Sequence, residues 1–205
     1  MSDRYKSILM FGSPGTGKGT QGSMLKHIPG FNHVACGDIF RSLDPESELG
    51  RKFKEYSSKG ELVPDDMTIQ MWRDYMKDRI DSGEYDPESQ VLILDGIPRN
   101  LYQAEHMQDD IDVIGMVHLV CSNLDTMVER MKIRALKQNR TDDADEAVIR
   151  NRFEVYRRES EPVLGFYDPS LTIEIQAIGT PAEVLSNVLA KIAPIQAANF
   201  NNPLG

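Results

Sequence analysis

Residues 11–21 read FGSPGTGKGTQ, a glycine-rich stretch between the apolar run 7–11 and a helical pattern at 22–28. Glycines allow successive backbone N–H groups to turn inward, and the start of the following helix adds partial positive charge. Lys18 adds a mobile cation that can reach phosphate groups. The order strand, glycine loop and helix therefore predicts a loop that binds the phosphates of a nucleoside triphosphate.

The loop departs at one position from the strict phosphate-loop pattern G-x-x-x-x-G-K-[ST]. Gly12, Gly17 and Lys18 match the pattern, but Gly19 stands where Ser or Thr is required, and Thr20 comes one residue later. A glycine-rich turn without a ligand is the alternative interpretation, and the flanking strand and helix patterns argue against it. The stretch by itself predicts phosphate binding without saying which reaction follows.

The composition is typical of one globular domain. The chain has 205 residues, 40% hydrophobic and 27% charged, with a net charge of -9. This charge disfavours a broad face for nucleic acid or an anionic membrane, so a polyanionic ligand requires a local cluster of Arg and Lys.

Cys36 and Cys121 cannot form a disulfide framework or a four-Cys zinc site. With no signal-peptide pattern and no apolar run of about 18 residues, we expect a cytoplasmic protein, monomeric by default.

Five apolar runs rich in β-forming residues alternate with helical patterns. We predict strands at 7–11, 32–35, 91–94, 113–120 and 171–178. Because three of these runs are nearly continuous in apolar residues, we expect strands buried on both faces. The pattern predicts an α/β fold with a doubly wound, five-stranded parallel sheet and helices on both faces.

Two helices can be predicted in more detail. Thr180 and Glu183 have the spacing of a capping box, Pro181 suits the first helical position, and an apolar stripe follows to Ile192. A stripe of methionine, tryptophan and tyrosine between residues 67 and 80 is expected to pack against the domain rather than line a ligand pocket. Residues 196–205 have no periodicity and are expected to form a loose tail.

Several charged residues follow the predicted strands. Asp95 comes directly after the run 91–94, and the carboxyl ends of parallel strands are where ligands bind in open α/β sheets. An Asp there could hold Mg²⁺, or it could cap a turn. Arg99 follows in a Gly-x-Pro-Arg turn that could aim its guanidinium at phosphate. Arg130 and Arg134 share a helix face, where they could bind anions or simply offset the helix dipole.

Together with the loop, four further stretches resemble the adenylate kinase family within the nucleoside monophosphate kinases. They are CGDIFR (36–41), GELVPDD (60–66), LDGIPRNLYQAE (94–105) and the arginine-rich span 130–152. The likeness covers residues 7 to about 192. In this family the loop reads G-x-P-G-x-G-K-G-T, so Gly19 followed by Thr20 is the family's own variant. The resemblance implies a P-loop nucleoside triphosphate hydrolase-like fold with a core (5–35, 66–133, 144–195), an NMP-binding segment (36–65), a short lid (134–143) and a C-terminal tail (196–205).

The resemblance also implies roles for individual residues. On the ATP side it assigns Gly15, Thr16, Gly17, Lys18, Gly19, Thr20, Arg130, Arg134 and Gly179. On the AMP side it assigns Cys36, Arg41, Glu61, Leu62, Val63, Gly96, Ile97, Pro98, Arg99, Gln103, Arg140 and Arg152. The residues implied in transfer itself are Lys18, Arg99, Arg134, Arg140 and Arg152. Asp38 and Asp95 are implied to organise Mg²⁺ through water. Both mobile segments are expected to close when nucleotides bind.

The activity that the resemblance implies is reversible, Mg²⁺-dependent transfer of the terminal phosphoryl group of ATP to AMP, which gives two ADP. Gln103 favours adenine, since a carboxamide can accept from the N6 amino group and donate to N1. UMP/CMP kinases, which usually place Asn at that position, are the alternative within the class. A non-catalytic nucleotide-binding module is the alternative from another class, and the cluster of cations argues against it. The short lid contains no Cys or His, so no zinc is expected.

Two departures from the family pattern leave questions open. The distance from Asp143 to the final arginine is one residue longer than usual, so either Arg150 or Arg152 could take the phosphate role. The family has an aromatic residue four positions after this arginine. Tyr156 lies four residues after Arg152, which favours Arg152. Cys36 replaces the usual Thr, and a thiol is a weaker hydrogen-bond partner than a hydroxyl. We expect a small buried packing residue there rather than a reactive thiol.

Overall fold

A computed structural model of the chain describes residues 4–138 and 145–200. Five parallel strands form one sheet in the order β2-β3-β1-β4-β5. They are β1 (Tyr5–Phe11), β2 (Phe31–Ala35), β3 (Val91–Asp95), β4 (Ile111–Val120) and β5 (Thr172–Gln176). The predicted five-stranded parallel sheet is confirmed, although the last strand ends at Gln176 rather than at residue 178.

Eight α-helices lie within the described residues. They are α1 (Lys18–Leu25), α2 (Cys36–Ser42), α3 (Glu48–Ser57), α4 (Asp65–Asp81), α5 (Leu101–His106), α6 (Leu124–Gln138), α7 (Glu146–Val155) and α8 (Pro181–Asn199). Short π- and 3₁₀-helical turns connect α7 to β5. In the part of the chain that the structure describes, none of these helices is long and apolar enough to cross a membrane.

The sheet is covered on both faces, as the apolar strands predict. Alternate residues of β1 belong to different core clusters: Leu9 packs with Trp72 of α4, whereas Ile8 packs with Val188 of α8. This alternation follows from the period of two along a strand. Trp72 and Met76 are fully buried, so the stripe on α4 packs against the domain, as expected.

Helix α8 begins as predicted but continues further. Thr180 accepts a hydrogen bond from the Glu183 N–H, and the Glu183 carboxylate accepts from the Thr180 N–H, so the capping box is confirmed. The helix extends through Asn199, so the prediction of a loose tail from residue 196 was wrong for residues 196–199. Tertiary contacts explain the extension: the Gln196 amide donates to the Pro29 carbonyl at 2.9 Å. Periodicity within the segment cannot reveal such contacts.

Candidate active site

A cleft of about 840 Å³ opens where the parallel strands end. Its walls include the loop after β1, the start of α2 after β2, and residues that follow β3 and β5. Because all five strands are parallel, their carboxyl ends meet at one edge of the sheet, and the loops that follow them converge there. The position of the cleft therefore follows from the topology.

The glycine loop forms the floor of one end of this cleft. Gly12 and Gly15 have positive φ angles of 143° and 85°. A Cβ atom on Gly12 would lie 2.5 Å from the Leu119 carbonyl oxygen, and one on Gly15 would lie 2.8 Å from the Met127 carbonyl oxygen. The loop is thus packed against the end of β4 and the start of α6 so closely that only glycine fits at these positions.

Lys18 is the first residue of α1 and points back into the loop. Its Nζ donates to the Gly12 carbonyl oxygen at 2.5 Å. The Lys18 pKa is lowered to about 8, mainly by burial of the ammonium group; the charge of Asp95 opposes this shift, and the charges of Arg99 and Arg134 add to it. These cations and the carboxylate therefore act on one another within a single site.

Among the described residues, five arginines line the cleft: Arg41, Arg99, Arg130, Arg134 and Arg152. Arg99 is partly buried, and burial lowers its pKa. Its Nε donates to the Gly96 carbonyl oxygen at 2.9 Å, which fixes the guanidinium beside the end of β3. Arg130 Nη1 donates to the Ala177 carbonyl oxygen at 2.9 Å. This cluster supplies the local positive charge that an acidic chain needs in order to bind polyphosphates.

Helix α7 brings Arg152, and not Arg150, to the cleft. Arg150 donates from Nε and Nη2 to Glu146 Oε1 at 3.0 and 2.8 Å, one turn earlier on the same helix and away from the cleft. Arg152 Cγ would lie 3.1 Å from a Cβ atom on Gly60, so α7 packs against the end of the segment 36–65. The geometry therefore favours Arg152 for the phosphate role.

Another part of the cleft is built around Gln103. This side chain is 1% exposed, and its Oε1 accepts from the Arg99 N–H at 2.7 Å. Its Nε2 donates to Asp65 Oδ1 at 2.7 Å. Gln103 is thus a buried, oriented amide that also lines the cleft, rather than a solvated residue on a helix surface.

Cys36 lies in this part of the cleft too, as the first residue of α2. Its side chain is buried, and burial raises the pKa of the thiol to about 11. A thiol that is buried and protonated at neutral pH is a poor nucleophile. The structure therefore favours the packing role over a reactive one.

Aromatic residues at the cleft were missed by the motif-based prediction. The rings of Phe40 and Phe53 stack with centroids 5.1 Å apart and planes 4° from parallel, and both residues line the cleft. Tyr156 lines it as well, and its hydroxyl lies 3.3 Å from His118 Nε2. Phe53 stands outside the matched motifs, so only its apolar position on α3 could have suggested it.

The two carboxylates that were predicted to organise Mg²⁺, Asp38 and Asp95, line the cleft. Asp38 Oδ1 pairs with Arg41 Nη2 at 2.6 Å, and Asp95 ends β3 close to Lys18. Within residues 4–138 and 145–200, no group of three or more His, Cys, Asp or Glu side chains could hold a metal ion. This donor set suits Mg²⁺, which is usually bound by one or two carboxylates together with substrate phosphates and water.

Most of the predicted site residues line this one cleft: Gly15, Thr16, Gly17, Lys18, Gly19, Thr20, Cys36, Asp38, Arg41, Glu61, Leu62, Val63, Asp95, Gly96, Pro98, Arg99, Gln103, Arg130, Arg134, Arg152 and Gly179. Ile97 is the exception among the described residues. Its side chain is 1% exposed and belongs to a core cluster, and its place in the AMP site stays a prediction. Arg140, and residues 139–143 of the predicted lid, lie outside the described residues.

Comparison with known proteins agrees with this geometry. The family model described as adenylate kinase matches residues 10–171. The adenylate kinase of Kocuria rhizophila is 34% identical over 191 residues, which cover 90% of this chain and 97% of that protein. Adenylate kinase isoenzyme 1 of Gallus gallus is 35% identical over 186 residues, covering 90% and 92% of the two chains. The adenylate kinase of Thermus thermophilus is 33% identical over 196 residues, covering 93% and 98%. The chain therefore belongs to the adenylate kinase family.

Proposed function

We propose that this protein is an adenylate kinase, which transfers the terminal phosphoryl group of ATP to AMP and forms two ADP reversibly. The observation that carries the proposal is that one cleft contains two groups of cations and N–H donors suited to anions. One is the glycine loop with Lys18, and the other is the group of Arg41, Arg99 and Arg152. A protein that only bound or hydrolysed ATP would have no use for the second group.

The reaction requires positioning and neutralised charge more than covalent chemistry. In the proposed mechanism the loop N–H groups of residues 15–20 hold the ATP phosphates, and Lys18 follows the transferred group. Arg41 and Arg99 hold the AMP phosphate in line with it. Arg134 and Arg152 neutralise the charge that spreads over the transferring oxygens.

Magnesium is part of the proposal because the carboxylates of the cleft fit it. Asp95 would hold the ion through water beside the loop, with Asp38 contributing from the start of α2. Bound Mg²⁺ would neutralise part of the charge of the ATP phosphates. The protein side chains then have only to orient the two nucleotides.

Exclusion of water is the remaining requirement, since water would compete with AMP as the acceptor. We propose that the NMP-binding segment (36–65) and the short lid (134–143) close over the bound nucleotides. In the structure, Asn151 of α7 already donates to the Lys59 carbonyl oxygen at 2.7 Å, at the end of the first of these segments. Residues 139–143 of the lid are outside the described part of the chain.

We also propose that the protein acts as a cytoplasmic monomer. Cys36 and Cys121 are both free, which suits a reducing compartment. ATP, AMP and ADP are its proposed partners. Neither a nucleic acid nor a membrane is among them, because the net charge of -9 opposes binding to polyanions outside the cleft.

The choice of base can be tested directly. Purified protein is mixed with MgATP and with AMP, UMP or CMP in turn, and ADP formation is followed, with a reaction lacking acceptor as the control. We expect rapid ADP formation with AMP alone. Faster reaction with UMP or CMP would favour the UMP/CMP kinase alternative. ATP binding without transfer to any acceptor would leave a nucleotide-binding module as the function.

A further inference from the structure

We propose that Asp65 is a positioning residue that orients the Gln103 carboxamide and thereby makes the acceptor site selective for adenine. The inference rests on the proposed function and on the sequence-based expectation that Gln103 faces the base of AMP. Asp65 itself is not among the residues that line the cleft. It acts through Gln103, so no contact between Asp65 and a nucleotide is involved.

The contacts around Gln103 hold both ends of its side-chain amide. Asp65 Oδ1 accepts from Gln103 Nε2 at 2.7 Å and from Asn100 Nδ2 at 2.9 Å. On the other side, Gln103 Oε1 accepts from the Arg99 N–H at 2.7 Å. Asn100 also caps α5, since its Oδ1 accepts from the Gln103 N–H at 2.9 Å. The amide is therefore clamped between a carboxylate and a backbone donor.

This clamp allows only one orientation of the amide. If the Gln103 carboxamide were turned over, its oxygen would face the Asp65 carboxylate and its NH₂ group would face the Arg99 N–H. Two hydrogen bonds, one of them charge-assisted, would be replaced by two repulsive contacts at a buried position. The acceptor oxygen of Asp65 and the N–H of Arg99 thus fix which end of the amide carries the donor.

The orientation matters because it fixes what the amide can offer a base. A carboxamide has two N–H donors and two acceptor lone pairs, and the clamp uses one of each. One donor and one acceptor remain, which complement N1 and the N6 amino group of adenine. Hypoxanthine presents the opposite pair, a donor at N1 and an acceptor at position 6. Discrimination between AMP and IMP is therefore the property that Asp65 should control.

Asp66 provides a matched control. It is the next residue in the first turn of α4, and both aspartates favour the helix through its dipole. Asp66 Oδ1, however, accepts from the Tyr102 hydroxyl at 2.7 Å at the surface, and the hydrogen bonds of the Gln103 amide go to Asp65 and Arg99 instead. Asp66→Ala removes the same charge from the same helix turn without releasing the amide.

The experiment compares steady-state kinetics with AMP and with IMP for the wild type, Asp65→Ala and Asp66→Ala. We expect Asp65→Ala to raise the KM for AMP about tenfold, to change kcat little, and to lower the AMP-over-IMP ratio of kcat/KM about tenfold. Asp66→Ala should leave the ratio unchanged. Asp65→Asn, which keeps an oxygen acceptor at the same position, should restore most of the selectivity.

Two further variants keep the test decisive. In a Gln103→Leu background, Asp65→Ala should cause no additional loss of selectivity, because the residue through which it acts is gone. If Asp65→Ala does not fold, Asp65→Ser is used instead; its hydroxyl suits a helix start but is one bond shorter than the carboxylate, and the same loss of selectivity is expected.

The inference is overturned if the Asp65 variants lower turnover of AMP and IMP equally, if Asp66→Ala has the same effect, or if the effect persists in Gln103→Leu. Failure of the proposed function has a different signature: the wild-type protein would then form no ADP from MgATP and AMP. If the wild type is active and Asp65→Ala has unchanged selectivity, only the role of Asp65 is contradicted.

Discussion

The two ends of the cleft are built in different ways. At the phosphate end, several groups belong to segments at the ends of strands: the glycine loop and Lys18 after β1, and Asp95 at the end of β3. At the base end, Gln103 depends on Asp65, 38 residues earlier in the chain, and on Asn100. Topology and backbone build the first end, whereas a network of side chains builds the second. Substitutions should therefore abolish transfer at the phosphate end and alter the choice of acceptor at the base end.

The largest effect is expected for Lys18→Ala. Removing a buried cation that follows the transferred group should lower kcat/KM about a thousandfold. Lys26→Ala is the control, since Lys26 is exposed at the end of the same helix and does not line this cleft. Steady-state kinetics with MgATP and AMP provide the measurement, and circular dichroism melting checks the fold. Near-normal turnover of Lys18→Ala with an intact fold would contradict the mechanism.

The next comparison separates two arginines of α7. Arg152 lines the cleft, whereas Arg150 pairs with Glu146. We expect Arg152→Ala to lower kcat/KM about a hundredfold, because a cation near the transferring group is lost. Arg150→Ala removes only a surface ion pair and should change kcat/KM less than about twofold. The reverse ranking would assign the phosphate role to Arg150.

This pair also illustrates how far the sequence predicts the site. The sheet and the phosphate end follow from local patterns, because parallel strands bring their carboxyl ends together and glycines are needed where the loop meets β4. The choice between Arg150 and Arg152 depends on how α7 rotates against residue 60, which spacing alone suggests but does not determine. Ile97 shows a similar limit: its motif neighbours line the cleft, whereas its own side chain belongs to a core cluster.

The clamp on Gln103 was the feature of the site that was hardest to predict from the sequence. Asp65 and Asn100 lie inside recognised stretches, yet both resemble ordinary helix-start residues. Their shared contact with one amide arises only when α4 packs beside α5. Motif matching therefore identified the residues that line the base end and missed the one that orients them.

A smaller effect at the phosphate end concerns pH. The Lys18 pKa of about 8 means that the ammonium is charged at neutral pH in the free protein and loses its proton as the pH rises through 8. Since phosphates bind the charged form, ATP affinity should fall about tenfold between about pH 7 and about pH 9. His118, whose pKa is lowered from 6.5 by burial, stays neutral throughout this range.

Isothermal titration calorimetry with ATP in two buffers of different ionisation enthalpy measures this coupling. Near pH 9 the binding should take up a proton from solvent, and near pH 7 it should take up almost none. Lys18→Arg provides the matched variant, because arginine stays charged at both pH values and should remove the proton uptake. Unchanged uptake in that variant would assign the titration to another group.

The smallest effect is expected at the base end, in thiol chemistry. Burial raises the Cys36 pKa to about 11, so the reactive thiolate is only about 0.1% of this group at about pH 8. Cys121 is partly exposed, so iodoacetamide should label the folded protein at Cys121 and reach Cys36 only after denaturation. Peptide mass spectrometry locates the label, and Cys121→Ser should leave the folded protein unlabelled. Rapid labelling of Cys36 in the folded protein would show a reactive thiol beside the acceptor base, and the base end would then have chemistry of its own rather than packing and hydrogen bonds alone.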